Sequence, residues 1–173
     1  MCNFASASRT AMVLLACIIY ALAVVSAQDL ITINSPTENQ QLASNTEITI
    51  QYTVNGNQVE NIASPYYPSS MDLNFQWTEN SNTSNVISFS AVTGIATDPY
   101  PAGIQNKQYT ATFKTPGCHF FTRYQTSQYS FALVFNPVYP TLSPGATAPG
   151  NTQQSPITIP VSIQVNNQTF PRC

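Results

Sequence analysis

Charge is scarce in this chain. Of its 173 residues, 5 are Lys or Arg and 7 are Asp or Glu, and Lys107, Lys114, Arg123 and Arg172 form no cluster. Grouped basic residues hold phosphate backbones and anionic lipid surfaces, so nucleic acid and membrane surfaces are poor partner candidates. Histidine occurs once, as His119 beside Cys118, without further ligands at metal spacing. A structural histidine in an aromatic corner is the preferred reading, and neither a metal nor a cofactor is expected. Gly-x-Ser-x-Gly elbows, phosphate-binding glycine loops and calcium loops are missing, and the carboxylates are scattered rather than paired for glycosidic cleavage. No catalytic residue is assigned, and the chain reads as a non-enzyme.

The one long apolar run, 11–25, follows Arg9 and ends in Val25-Ser26-Ala27, with the small residues that signal peptidase requires. Residues 1–27 are therefore expected to be a cleaved signal peptide, and 28–173 a single exported domain. A membrane anchor is the alternative, but a span needs about 20 apolar residues and a stop-transfer flank, which this run lacks. Cleavage at this point exposes Gln28, which argues against the copper-dependent polysaccharide monooxygenases, whose mature chains begin with histidine.

Cysteine is also sparse. Cys2 and Cys17 leave with the signal, so Cys118 and Cys173 remain as an expected disulfide in an oxidising compartment. Closing a loop of about 55 residues would add roughly 4 kcal/mol on the chain-entropy account. Free thiols, or an intermolecular bridge through Cys173, are the other readings.

Period-two alternation is abundant. In 47–54, EITIQYTV, the apolar residues Ile48, Ile50, Tyr52 and Val54 fall on every second position. Six further segments, 30–34, 71–78, 86–92, 108–115, 129–135 and 157–165, are read as strands, separated by Pro, Gly and Asn-rich turns. Residues 37–45 read as a turn, 79–85 as a polar hairpin loop, and Pro160 as the mark of an edge or bulge. No helix is expected. Seven strands without a helix predict an antiparallel β-sandwich of immunoglobulin or fibronectin III character.

Alternating strand directions sort the connections between two ends. One end receives the expected cysteine pair and two N-glycosylation acceptors, Asn82 in Asn82-Thr83-Ser84 and Asn167 in Asn167-Gln168-Thr169. The opposite end collects three long loops bearing Tyr66, Tyr67, Tyr100 and Tyr139, with no glycosylation acceptor. Tyrosine on constrained loops gives contact area at low entropic cost, which makes this end the candidate recognition surface. The competing reading has these rings packing over the ends of the core.

The run Ile31-Thr32-Ile33-Asn34-Ser35-Pro36, then Ile48-Thr49-Ile50-Gln51-Tyr52, then Phe113-Lys114-Thr115-Pro116 followed by Tyr129-Ser130-Phe131, resembles the fungal Ser-Thr-rich GPI-anchored membrane protein family. The related domain of yeast cell-wall β-glucan assembly proteins is similar. Tyr52 stands where that family commonly has Trp, and the Ser/Thr-rich tail and C-terminal anchor signal are not seen. The resemblance implies an extracellular, wall-associated protein without well-defined catalytic residues. The functional expectation is a secreted, non-enzymatic module binding cell-wall or matrix polysaccharide through the tyrosine loops. The alternatives are a secreted ligand or effector that binds a partner protein and, behind it, a hydrolase.

Overall fold

The computed structural model describes residues 29–56, 67–98, 106–145 and 153–166. They form eight strands and one short helix: β1 (Ile31–Ser35), β2 (Gln40–Ala43), β3 (Glu47–Val54), β4 (Ser70–Glu79), β5 (Asn82–Ala96), β6 (Lys107–Lys114), α1 (Cys118–Arg123), β7 (Tyr129–Val138) and β8 (Ile157–Gln164). A three-stranded sheet has the order β1-β3-β6, and a five-stranded sheet has the order β2-β8-β7-β4-β5. The protein is all-β with two sheets, and one core lies between them.

Alternation builds that core. In β4 the apolar Met71, Leu73, Phe75 and Trp77 are buried, while Asp72, Asn74, Gln76 and Thr78 between them are only partly covered. Successive strand side chains point to opposite faces, so a single segment supplies one wall of the interior. From the other sheet β3 adds Ile50, Tyr52 and Val54, and β6 adds Phe113. The Phe75 ring meets Phe113 across the gap at 6.0 Å. It also contacts Trp77, Phe89 and Phe131 within its own sheet and Phe120 and Phe121 of α1.

The structure corrects several expectations. Residues 40–43, expected within a turn, form β2, which pairs in parallel with β8 while the other pairings are antiparallel. A run as short as Gln-Gln-Leu-Ala carries almost no periodicity. Its strand state comes from the β8 ladder and from two asparagines flanking it, Asn39 (φ 60) and Asn45 (φ 56), a residue type that tolerates the left-handed region. The chain changes sheet between β1 and β2 through the cis Ser35-Pro36 bond.

A helix is the second correction. The corner at Cys118 is the six-residue α1, too short to be stable alone, and it holds because Cys118 and Phe121 are buried. Residues 82–85, expected in a hairpin loop, already belong to β5, leaving Asn80 and Ser81 as the turn. Pro160 lies in β8 just before β2 pairing begins at Val161. Half of β8 is thus a sheet edge, where a missing N–H costs nothing.

Phe75→Ala is expected to lower stability by about 3–5 kcal/mol, because no single neighbour can fill the space of a ring that packs against both sheets and the helix. Urea denaturation followed by tryptophan fluorescence measures it; a loss below about 1 kcal/mol would remove Phe75 from the centre of the core.

Candidate functional site

Strand direction separates the connections as the sequence suggested, and hydrogen bonds show how each end is closed. At one end the Thr115 hydroxyl donates to the Ala43 carbonyl at 2.6 Å and accepts from the Thr46 amide at 2.9 Å. The Asn166 amide donates to Ser44 Oγ at 2.7 Å. Cys118, nearby on α1, is buried and disulfide-bonded. The cysteines that could pair with it, Cys2, Cys17 and Cys173, all lie outside the described residues, as does Asn167. Asn82 is exposed at the start of β5. His119, expected in a packed corner, is instead exposed on α1.

At the opposite end, tyrosines act as cross-braces. Tyr67 is buried, and its hydroxyl donates to the Asn55 carbonyl at 2.6 Å. Tyr139 is half-buried and accepts the Gln154 amide N–H at 2.6 Å. Gln154 then binds the Ile31 main chain with both ends of its amide, at 2.7 Å each. The Thr97 hydroxyl donates to the Pro68 carbonyl, and the Gly56 amide donates to Asn106 Oδ1 at 2.9 Å. Tyr66 and Tyr100 lie outside the described residues.

Tyr52 extends this bracing inward. It stacks on Tyr109 at 5.5 Å with a 14° interplanar angle and donates its hydroxyl to the Ala96 carbonyl of the other sheet. Burial, and secondarily the neighbouring Tyr109 phenol, push its pKa up to about 12. Burial also raises that of Tyr67.

The outer face of the β1-β3-β6 sheet was not singled out by sequence. Register places Thr49 beside Thr112, Gln51 beside Thr110 and Thr53 beside Gln108, all on positions pointing away from the core. The Thr53 hydroxyl donates to Asn34 Oδ1 at 2.8 Å, drawing β1 into the same face. A groove of about 530 Å³ opens here, lined by Asn34, Gln51, Tyr52, Gln108, Tyr109 and Thr110. The outward side chains among them, those of Asn34, Gln51, Gln108 and Thr110, carry amides and a hydroxyl and no charge, while Tyr52 and Tyr109 alternate with them toward the core. The signal was available in the outward positions of EITIQYTV and KQYTATFK, but finding the groove required the cross-strand register.

The surface offers little other chemistry. Among the described residues no group of three or more His, Cys, Asp or Glu could hold a metal ion, and no helix is long and apolar enough to cross a membrane. The indole N–H of Trp77 is buried without a hydrogen-bond partner among the described residues.

The Tyr52 phenol generates a pH prediction. Its folded-state pKa of about 12 lies above the ordinary 10.0, so the stability it contributes is complete below pH 10 and is lost as pH rises through about 12. Urea midpoints should stay flat up to pH 10 and then fall. In Tyr52→Phe the fall should be shallower, with the part due to Tyr67 remaining; identical slopes in the two proteins would contradict the assignment.

Comparison with protein-family models and with curated proteins gave no match to this chain.

Proposed function

We propose that this chain is an exported, immunoglobulin-like module without catalytic machinery that binds a neutral, hydroxyl-rich polysaccharide of the cell wall or matrix. The immunoglobulin reading is supported by the strand order. β1, β3 and β6 correspond to strands A, B and E of one immunoglobulin sheet, and β8, β7, β4 and β5 to the G-F-C-C′ side of the other. Export is supported by the apolar leader and by the disulfide at Cys118.

The observation that carries the ligand class is the uncharged amide and hydroxyl lining of the groove. Side-chain amides donate and accept at once, which matches sugar hydroxyls, and a lining without ions selects a neutral chain over an acidic one. Tyr67 and Tyr139 have their hydroxyls committed within the protein, so of the four loop tyrosines Tyr66 and Tyr100 are the ones proposed to add ring contacts. The resemblance to fungal wall proteins supports a wall-associated place for the chain.

Gln51→Ala combined with Gln108→Ala should weaken retention on insoluble wall polysaccharide about tenfold or more, since each lost charge-neutral hydrogen bond is worth roughly 0.5–1.5 kcal/mol. Both side chains are exposed, so the fold should survive, with an unchanged urea midpoint. Full retention by this variant, together with loss in Tyr66→Ala and Tyr100→Ala, would move the site to the loops. No retention of the unaltered protein on any neutral wall polymer would overturn the ligand class.

A further inference from the structure

Among the described residues the two sheets end on four strands, β1, β6, β2 and β5, and three of them are guarded against pairing with another chain, as the open half of β8 is by Pro160. β1 runs five residues before Pro36, β2 runs four, and β6 carries Lys107 and Lys114 at its two ends. Shortness, proline and lysine are the ordinary devices that keep an edge from recruiting a further strand. β5 has none of them. It is 15 residues long, Asn82–Ala96, with no charged residue and no proline.

Register narrows the open part of this edge. The pairing with β4 shifts on both sides of residues 86–90, and it is regular between Val86 opposite Thr78 and Ser90 opposite Asn74. This run, Val-Ile-Ser-Phe-Ser, contains two of the four exposed large hydrophobics among the described residues, Val86 at 52% and Phe89 at 38%. Phe89 belongs to the inner face, opposite Phe75.

The run is also complementary to itself. Antiparallel pairing of two copies about a two-fold axis at Ser88 sets Ser88 against Ser88, Ile87 against Phe89, and Val86 against Ser90. Hydroxyl pairs and β-branched with aromatic pairs are the favourable cross-strand combinations, and no like charges meet. From this geometry we propose that the β5 edge is a self-association surface, which pairs antiparallel with the β5 edge of a second copy, and that a glycan on Asn82 holds the two apart.

The glycan part rests on the export reading; the pairing part does not. Asn82 stands opposite Glu79 and Val86 opposite Thr78, so the acceptor asparagine lies one β4 step from the first residue of the open run, because residues 83–85 bulge out of the ladder. Asn82 is exposed, and its Oδ1 accepts the Ser84 amide at 3.3 Å. A bulky, hydrated sugar at that position sits in the path of an approaching strand.

The test compares, by sedimentation velocity over a concentration series, the full-length protein secreted from a glycosylating host with Asn82→Gln from the same host. Mass spectrometry reports occupancy at Asn82. The expected result is a monomer when Asn82 is glycosylated and a concentration-dependent dimer in Asn82→Gln. Adding Ser88→Lys should weaken that dimer about tenfold or more, because it places two ammonium groups opposite each other on the axis, whereas adding Ser88→Thr should preserve it. Ser88 is exposed in the monomer, so either change leaves folding intact.

A monomeric Asn82→Gln at all concentrations, a dimer indifferent to Ser88→Lys, or open-ended aggregates in place of a closed dimer would each overturn the pairing. A glycosylated protein that dimerises as tightly as Asn82→Gln would overturn the gate. An unoccupied Asn82 in secreted protein would remove the gate while leaving the export reading standing. A protein that is not secreted at all would overturn export, with the pairing still decided by Asn82→Gln.

Discussion

Both sheets and the helix converge on one ring, that of Phe75. It is the residue through which β4, β5, β6, β7 and α1 touch a common object, and the geometry of each element is constrained by the need to present an edge or a face to it. The three-stranded sheet ends at β6 and meets β5 near Ala96 through the Tyr52 hydroxyl, which leaves the ring of Phe89 to be covered from elsewhere. Phe120 and Phe121 of α1 fill that gap, and Tyr124 closes over Trp77 at 4.8 Å. The aromatic payload does the work that further strands do in a wider sandwich.

This dependence explains what was legible in the sequence and what was not. EITIQYTV and MDLNFQWT announce themselves because eight residues of strict alternation have few other uses. β2 does not, since Gln40 and Gln41 are strand residues only by virtue of β8 lying beside them. α1 follows Pro116-Gly117 and has the local character of a corner; its helical state is imposed by burying Phe121 and Cys118. Tyr67 has the look of a loop tyrosine in sequence, and its burial with the hydroxyl bonded to the Asn55 carbonyl becomes visible in the fold. The groove on the β1-β3-β6 face was hidden for a related reason. Asn34, Gln51, Gln108 and Thr110 come from three separate segments, and nothing local says that they become neighbours.

The polar surface has one consistent chemistry, which is hydroxyls and amides with few ions. That choice serves the groove and leaves the edges exposed to a different risk. The chain has two lysines that could guard a strand edge, and both are placed on β6. β5, on the far edge of the larger sheet, is left without one. An uncharged groove and a strand edge without lysine follow from the same compositional bias.

The parallel ladder between β2 and β8 also sets how the protein carries a load. Once β1 has come away from β3, a pull through the residues before β2 and after β8 would act along two strands that lie side by side and point the same way. Their hydrogen bonds, from Gln40 beside Val161 to Ala43 beside Gln164, would be stretched together in shear, whereas an antiparallel hairpin pulled from its open end parts one bond at a time. Under such a load, this short strand is the clamp that ties the chain leaving β1 to the five-stranded sheet.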